Sequence, residues 1–203
     1  MKTNRVLSVI LVVAVAATLA SCEKIADNSA AVQSGTWSGG VFTNKWSNIS
    51  FELPEGFNRL TDAEYYERTG DNAAQKAYNS GDGFNVAAGN VCDFWIISEE
   101  LRTAFILVYE NTDFDENGYL DAMMSNYEQT PGAAELSGTA AATIAGEQYL
   151  AATVFFPESG AYTQLYLRKT DAAMVCLYAN YQASDAAADA VAAFVKSITP
   201  AKG

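Results

Sequence analysis

The sequence predicts an α+β domain, in which a mainly antiparallel sheet is packed by helices. Short stretches rich in aromatic and β-branched residues alternate with turn residues, which indicates strands joined by tight connections. Three further stretches carry helix signals, either a capping pattern or apolar residues at helical spacing. Hydrophobic residues make up 50% of the chain, which is enough to form a core between a sheet and its helices.

The first predicted elements are two strands and a helix. Residues 37–42 and 49–53 combine aromatic and β-branched residues, and both are predicted strands. The helix begins after Thr61, because this threonine is followed three residues later by a glutamate, Glu64, in a capping box. Gly70 is predicted to end the helix.

Two strands and a second helix follow. Residues 91–98 and 104–109 are apolar, aromatic and β-branched, which is typical of strands. A helix comes next, since four apolar residues share one face at positions i, i+3, i+4 and i+7. These residues are Leu120, Met123, Met124 and Tyr127.

The last part of the chain predicts four strands and a closing helix. The strands fit between residues 135 and 181, with turn signals at Gly146, 158–160 and 170–171. Short connections of this kind favour antiparallel pairing. Ser184 is a predicted cap for the final helix. The apolar stripe of this helix consists of Val191, Phe194, Val195 and Ile198.

The N-terminal residues have the three-part pattern of a secretion signal. A basic tip with Lys2 and Arg5 precedes an uncharged, mostly apolar run over residues 6–20. This run is shorter than the roughly 18 to 20 residues that a membrane-spanning helix needs. It ends at Leu19-Ala20-Ser21-Cys22, which resembles the bacterial lipobox, L-[AS]-[GAS]-C.

The lipobox resemblance implies that Cys22 becomes a lipidated N-terminus. In lipoproteins of this kind the cysteine thiol receives a diacylglyceryl group, and the chain is cleaved just before that cysteine. Two acyl chains hold a protein durably on a bilayer, whereas one chain binds only reversibly. The predicted organisation is a signal peptide at 1–21, a lipidated cysteine with a flexible tether at 22–35, and one globular domain at 36–200.

The composition argues against several classes of function. The chain has no histidine, which removes Ser-His-Asp and Cys-His catalysis and the commonest zinc ligand. After cleavage the chain would carry 10 basic and 24 acidic residues, a net charge of −14. Nucleic acid is a poor partner for so acidic a surface.

One stretch of the predicted domain resembles a known family. The letters FELPEGF at 51–57 match the F-x-L-P-x-G-[WF] motif that opens the PsbP-like and DcrB-like extracytoplasmic domains. The helix around Tyr119, the strand with Arg168 and the closing helix with Phe194 follow in the same order. The resemblance implies an α/β sandwich of a kind found on bacterial lipoproteins, and it carries over no catalytic residue.

An acidic stretch matches the start of a calcium-binding loop. Asp113, Asp115, Asn117 and Asp121 fall at four ligand positions of the D-x-[DN]-x-[DN]-G pattern. An EF-hand also needs a bidentate carboxylate at its last position, where this chain has a methionine. The alternative is that Asp113 and Glu116 cap a helix and interact with its dipole. Ca²⁺ is thus a candidate cofactor, and no other cofactor is predicted.

Cys92 and Cys176 are a candidate disulfide, because secretion would place them outside the reducing cytosol. The alternation of residues predicts that Cys92 shares a strand face with Phe94 and Ile96, and Cys176 lies in an apolar run. Both therefore also fit the pattern of free, buried thiols. The sequence leaves the two alternatives open, because a bridge requires Cα atoms within about 7 Å.

Four aromatic residues in the second half have two interpretations. They can line one sheet face as a recognition patch, or they can pack in the core, as such residues more often do. The four residues are Tyr149, Phe155, Tyr162 and Tyr166.

Three functions fit these residues. The first is a membrane-anchored, extracytoplasmic and non-catalytic binding or accessory module, held on the lipid bilayer through acylated Cys22, whose partner is an envelope protein or a small ligand. The second is a hydrolase or transferase that uses acidic residues. The third is a calcium-stabilised structural module. The first is preferred, because the sequence contains no complete catalytic motif.

Overall fold

The computed structural model of this chain describes residues 32–70, 73–80, 90–128 and 134–202. The predicted signal peptide, the predicted lipidation site Cys22 and the predicted tether up to residue 31 lie outside these residues. Within the described ranges, no helix is both long and apolar enough to cross a membrane.

The described chain contains the predicted strands and helices in the predicted order, and two further elements, at Asn58–Arg59 and Ala73–Asn79, were not predicted. The elements are β1 (Thr36–Ser38), β2 (Val41–Asn44), β3 (Ile49–Glu52), β4 (Asn58–Arg59), α1 (Asp62–Thr69), α2 (Ala73–Asn79), β5 (Asn90–Ser98), β6 (Thr103–Glu110), α3 (Glu116–Glu128), β7 (Glu135–Ile144), β8 (Glu147–Phe156), β9 (Ala161–Lys169), β10 (Met174–Gln182) and α4 (Asp185–Ser197).

The strands form two antiparallel sheets. The large sheet has seven strands in the order β4-β5-β6-β10-β9-β8-β7, and the small sheet has the order β1-β2-β3. Each neighbouring pair in both sheets is antiparallel. The predicted α+β fold with a mainly antiparallel sheet is therefore confirmed.

Two hydrophobic cores lie on opposite faces of the large sheet. The first core joins the sheet to the small sheet and α4, where the ring of Phe194 stacks on Phe105 at 3.9 Å and meets Phe51 at 4.9 Å. The second core lies under α3, whose Leu120 and Met123 are buried against the sheet. Each fully buried side chain of this size stabilises the fold by roughly 1.5 to 3 kcal/mol.

The helices begin where their capping residues predict. The Thr61 hydroxyl accepts a hydrogen bond from the Glu64 backbone N–H at 3.3 Å, and Glu64 Oε2 accepts one from the Thr61 N–H at 2.8 Å. This is the predicted capping box, and Gly70 forms the C-cap. The Ser184 hydroxyl likewise caps α4.

The structure corrects two boundaries near the start of the domain. The predicted strand at 37–42 is two strands, because Gly39 and Gly40 turn the chain with φ of 58° and 84°. Glycine adopts these positive angles without the steric cost that other residues have. Val32 is only 3% exposed and belongs to the first core, so ordered packing begins before the predicted start at residue 36.

Candidate functional site: the Asp93 groove

A β-bulge at Asp93 organises the start of β5. The register between β5 and β6 shifts here, because Cys92 lies opposite Val108 while Phe94 lies opposite Leu107. The extra residue reverses the alternation of side chains, so Phe94 packs in the first core and Cys92 packs against the second. The prediction that Cys92 and Phe94 share one face is therefore wrong.

The Asp93 carboxylate accepts hydrogen bonds on both of its oxygens. Oδ1 accepts from the Gly35 backbone N–H at 2.7 Å and from the Tyr78 hydroxyl at 2.9 Å. Oδ2 accepts from Asn44 Nδ2 at 2.7 Å and from the Tyr109 hydroxyl at 2.8 Å. Since an ionised carboxylate has about four lone-pair sites, these donors fill it. Asp93 thus ties β5 to the N-terminal segment, β2, α2 and β6.

The electrostatic setting of Asp93 is unusual, because the donors that bind it are neutral. Burial raises the pKa of Asp93, and the hydrogen bonds from Gly35, Tyr109, Asn44 and Tyr78 oppose that rise. Burial, reinforced by the neighbouring carboxylate, raises the pKa of both tyrosines. Both phenols therefore keep the protons that they donate to Asp93.

The side-chain amide of Gln75 fastens α2 to the bulge. Its Oε1 accepts from the Cys92 backbone N–H at 2.6 Å, and its Nε2 donates to the Cys92 carbonyl at 2.7 Å. Gln75 thus pairs with the strand backbone as a neighbouring strand would. A helix as short as α2 is marginal by itself, so contacts of this kind hold it in place.

A groove of about 220 Å³ lies beside these residues, and we call it the Asp93 groove. Its walls include Trp37, Tyr65 and Trp95. Tyr65 meets Trp95 edge to face, with ring centroids 6.3 Å apart. Burial raises the pKa of Tyr65 to about 12, so this phenol is neutral. The groove therefore offers aromatic surface close to a hydrogen-bonded polar centre.

Arg59 and Asp62 are the charged residues at the exposed side of the Asp93 groove. The Arg59 guanidinium lies 5.2 Å from the centroid of the Trp37 ring, a cation–π distance. Within the described ranges, Arg59 forms no ion pair with a carboxylate. The groove thus contains a positive group that stacks on Trp37 and that no carboxylate of the described residues binds.

A second buried carboxylate, Glu110, lies at the end of β6 near α3. Glu110 is 7% exposed, and burial raises its pKa to about 7, while a hydrogen bond with Tyr119 opposes the rise. The Tyr119 hydroxyl lies 3.2 Å from that of Tyr178 on β10. These polar groups are enclosed between α3 and the large sheet. Ionisation of Glu110 in this place therefore lowers the free energy of unfolding.

The structure does not bring the candidate calcium ligands together as a loop. Helix α3 begins at Glu116, so Asn117 and Asp121 lie on the helix itself. Asp115 Oδ1 accepts a hydrogen bond from the third residue of that helix, Gly118, at 2.8 Å, as an N-cap does. Asp113 is exposed, and the cap is Asp115 and not Asp113 as predicted. Among the described residues, no three acidic or cysteine side chains gather as a metal site.

The candidate disulfide between Cys92 and Cys176 is not formed, and both thiols are free. The two cysteines lie on either side of Val108, which pairs with Cys92 across β5 and with Cys176 across β10. Two strand spacings amount to roughly 10 Å, which exceeds the roughly 7 Å limit for Cα atoms of a disulfide. Burial raises the pKa of both thiols, which makes them unreactive.

The four aromatic residues of the candidate patch divide between core and surface. Tyr149 and Tyr166 are buried in the first core. Phe155 and Tyr162 are half-buried neighbours on β8 and β9, with ring centroids 4.8 Å apart. Tyr162 also stacks on Tyr181 of β10 at 5.5 Å, so these rings form a ladder across three strands.

Sequence reasoning did not identify the residues of the Asp93 groove. The signal for Asp93 was present, because a carboxylate within the apolar strand 91–98 needs hydrogen-bond partners when it is buried. Arg59 and Trp37 had no such signal. They are distant in the sequence, and only the tertiary packing of β4 near β1 brings them together.

Comparison with known proteins identifies a likeness of fold. No protein-family model and no curated protein matches the chain. PsbP (CyanoP) from Synechocystis sp. PCC 6803 has a similar structure, with a TM-score of 0.46 and 11% identity over 91% of this chain and 99% of that chain. The chain is similar in fold to PsbP. This is the family that residues 51–57 resemble.

A second solved structure is similar to this chain. LpqN, which is involved in cell envelope biogenesis of Mycobacterium tuberculosis, has a TM-score of 0.42 and 16% identity over 75% of this chain and 83% of that chain. Likeness to LpqN and PsbP at this level concerns the fold alone. It supports no argument about a ligand, a partner or an activity.

Proposed function

We propose that this chain is an extracytoplasmic lipoprotein, anchored to a bacterial membrane through Cys22, whose domain is a non-catalytic binding module. The Asp93 groove is the proposed binding site. One observation carries this proposal. Within the described residues Arg59 is held over Trp37 without a carboxylate partner, at a groove whose walls are fixed by the hydrogen bonds of Asp93.

The hydrogen bonding of Asp93 supports a structural role for this carboxylate. A general acid or base must be within reach of a substrate and must exchange a proton with it. Asp93 instead accepts two hydrogen bonds on each oxygen, and its donors belong to elements that the carboxylate holds together. Binding in the neighbouring groove is therefore preferred to catalysis by Asp93.

Arg59 and its neighbours indicate the class of ligand. A guanidinium that stacks on an indole keeps its N–H groups available at its edge, where they can bind a carboxylate through two hydrogen bonds. Trp37 and Tyr65 offer aromatic surface to an apolar group. Asp62 would repel a ligand with several negative charges. We therefore expect a small molecule or peptide with one carboxylate and an apolar portion.

The membrane anchor is supported by the sequence Leu19-Ala20-Ser21-Cys22, which follows a basic tip and an apolar run. The first described residue, Val32, comes ten residues after Cys22. A flexible chain of that length spans roughly 15 to 20 Å. The domain would then remain close to the lipid headgroups, where it meets envelope proteins and ligands held at the membrane.

The Cys22→Ser variant tests the anchor. We expect wild-type protein to sediment with membranes and to be extracted by detergent, whereas the variant remains an unprocessed precursor or is released in soluble form. Mass spectrometry of the wild-type N-terminal peptide measures the acyl groups directly. An unmodified N-terminus, or unchanged membrane association and gel mobility in the variant, would contradict the anchor.

Site-specific photo-crosslinking tests the Asp93 groove. A photoreactive amino acid replaces Asp62, which lines the groove, and in a control chain it replaces the exposed Asp113, which does not. After irradiation of native membranes, we expect an adduct at position 62 that is lost in Arg59→Ala. The matched variant Lys45→Ala removes another exposed positive charge and should keep the adduct. Equal labelling at both positions would contradict the proposal.

A further inference from the structure

The two edges of the large sheet differ in length. At one edge β4 has two residues. At the other edge β7 has 10 residues, and its first seven are exposed. Unpaired strand edges present rows of backbone donors and acceptors, and proteins usually shorten, cover or charge them to prevent pairing with another chain. The short β4 follows that rule, and β7 does not.

The hairpin between β7 and β8 shows which backbone groups of β7 face outward. Its loop is Ala145-Gly146, and both residues have positive φ, which is the two-residue type I′ turn. The pair that closes such a turn exchanges hydrogen bonds, and every second pair after it does the same. Ile144 closes the turn, so residues 144, 142 and 140 bond to β8. The residues with outward N–H and C=O groups are Thr139, Ala141 and Thr143.

In the part of the chain that the structure describes, the outward edge of β7 lacks the usual protection. The segment 136–144 contains no charged residue and no proline. A bulge between Leu136 and Gly138 interrupts only its beginning, and Leu136 is itself 41% exposed. Among the described strands, β8 alone pairs with β7. The part from Gly138 to Ile144 is thus a continuous edge that can accept another strand.

We propose that β7 pairs antiparallel with β7 of a second copy of this chain, so that two large sheets join across a twofold axis. The register that places Ala141 opposite Ala141 also places Thr139 opposite Thr143 of the second copy. Threonine pairs across antiparallel strands are favourable. No charge lies opposite another charge between Gly138 and Ile144, so the net negative charge of the chain does not oppose this contact locally.

The position of the N-terminus favours a second copy over a foreign strand. A twofold axis between antiparallel strands runs perpendicular to the sheet, so both copies turn the same sheet face to the same side. Val32 packs in the first core, on the face that the small sheet covers. The described N-terminal ends of both copies, which begin at Val32, therefore lie on one side of the joined sheet, which suits two Cys22 anchors in one membrane. This step rests on the proposed function, and shared anchoring would raise the effective concentration of the pair.

Cysteine crosslinking of the full chain in native membranes tests the pairing. In Ala141→Cys, the two new thiols would lie on opposed residues with Cα atoms about 5.5 Å apart, a separation that a disulfide spans. Mild oxidation is expected to give a reducible dimer on a gel. The matched variant Ala188→Cys places an exposed cysteine on α4 and should give only the background of the parent chain.

Second substitutions in the Ala141→Cys chain test the hydrogen bonds themselves. Thr139→Pro removes one outward N–H from each copy, which should slow crosslinking roughly tenfold. Thr139→Ala keeps that N–H and should retain most of the crosslinking. Equal crosslinking at positions 141 and 188, an adduct to a different protein, or no effect of Thr139→Pro would overturn the proposal. The share of the chain that sediments with membranes in the same samples measures anchoring separately. A chain that is released from the membrane would still show, by its crosslinking, whether β7 pairs.

Discussion

The Tyr109 hydroxyl donates a 2.8 Å hydrogen bond to Asp93 and so joins β6 to the bulge of β5. Asp93→Ala leaves this phenol and the Gly35 N–H without their acceptor. The Asn44 amide and the Tyr78 hydroxyl each lose one hydrogen bond but keep the Gln33 carbonyl as an acceptor. Since each unsatisfied buried donor costs about 1 to 3 kcal/mol, the two orphaned donors predict a loss of about 2 to 6 kcal/mol in the free energy of unfolding. Urea titration measures this loss.

The control for Asp93→Ala is Asp113→Ala, which changes an exposed aspartate. Its effect should stay within about 0.5 kcal/mol, as for most surface substitutions. If the two variants unfold at the same urea concentration, Asp93 does not hold the surrounding elements together.

The buried carboxylate of Glu110 makes the stability depend on pH. The pKa of Glu110 rises from 4.5 in the unfolded chain to about 7 in the folded one, so between these values the folded state binds more protons. The free energy of unfolding therefore falls as pH rises. The free energy of unfolding is highest below pH 4.5, where Glu110 is protonated in both states. Above about pH 7 it is lower by about 3 kcal/mol, because the folded chain must then hold an ionised carboxylate in a buried place.

The Glu110→Gln variant tests this pH dependence. At pH 8 it should be more stable than the wild type, and its stability should change less between pH 5 and pH 8. Burial also raises the pKa of Asp93, and any pH dependence from this group has the same sign in both proteins. Urea unfolding at both pH values measures the difference. Parallel curves for the two proteins would contradict the role of Glu110.

The Phe194 side chain connects α4 to both sheets. It is 2% exposed, and it stacks on Phe105 and meets Phe51 and Phe94. Phe194→Ala is expected to reduce the free energy of unfolding by about 3 to 5 kcal/mol, because it removes a ring and leaves a cavity. Lys196→Ala, on the exposed side of α4, should have little effect. Thermal unfolding of the two variants checks the contrast.

The Asp115 side chain distinguishes helix capping from calcium binding. Asp115→Ala removes the hydrogen bond to the Gly118 N–H, and we expect a loss of about 1 kcal/mol. Asp113→Ala removes no hydrogen bond of this kind and should be nearly neutral. A calcium site would behave differently. Millimolar Ca²⁺ would then raise the melting temperature of the wild type, and both variants would lose that rise.

The separation of Cys92 and Cys176 predicts the outcome of thiol counting. When the chain is denatured without a reducing agent, two thiols should react in addition to any at position 22, because β6 keeps the cysteines unbridged. In the folded chain both thiols should react slowly, since burial raises their pKa. Fewer than two reactive thiols after denaturation would indicate a bridge.

Local patterns predicted most of the fold. The capping box at Thr61 and the apolar stripe around Leu120 gave the helices their positions, because capping and periodicity depend on residues close together in the chain. The order of strands in the large sheet did not follow from such patterns. It places β10 between β6 and β9, and this pairing depends on how both faces of the sheet are covered.

The candidate site was harder to predict than the fold. The bulge at Asp93 reversed the expected faces of Cys92 and Phe94, and one inserted residue in an apolar strand leaves no clear pattern. Arg59 and Trp37 meet only through tertiary packing. The acidic stretch at 113–121 had two interpretations, because the same letters that ligate calcium also cap helices, and the structure shows Asp115 in the capping position.

The backbone of Ser50 exchanges hydrogen bonds of 2.9 Å with Thr199, a residue almost at the end of the described chain. Strand β3 is therefore joined to the segment that follows α4, 149 residues further along the chain. Contacts between such distant residues slow folding. The small sheet can gain this last backbone partner only after the chain between the two residues has folded back on itself, so we expect it to be among the later parts of the domain to become complete.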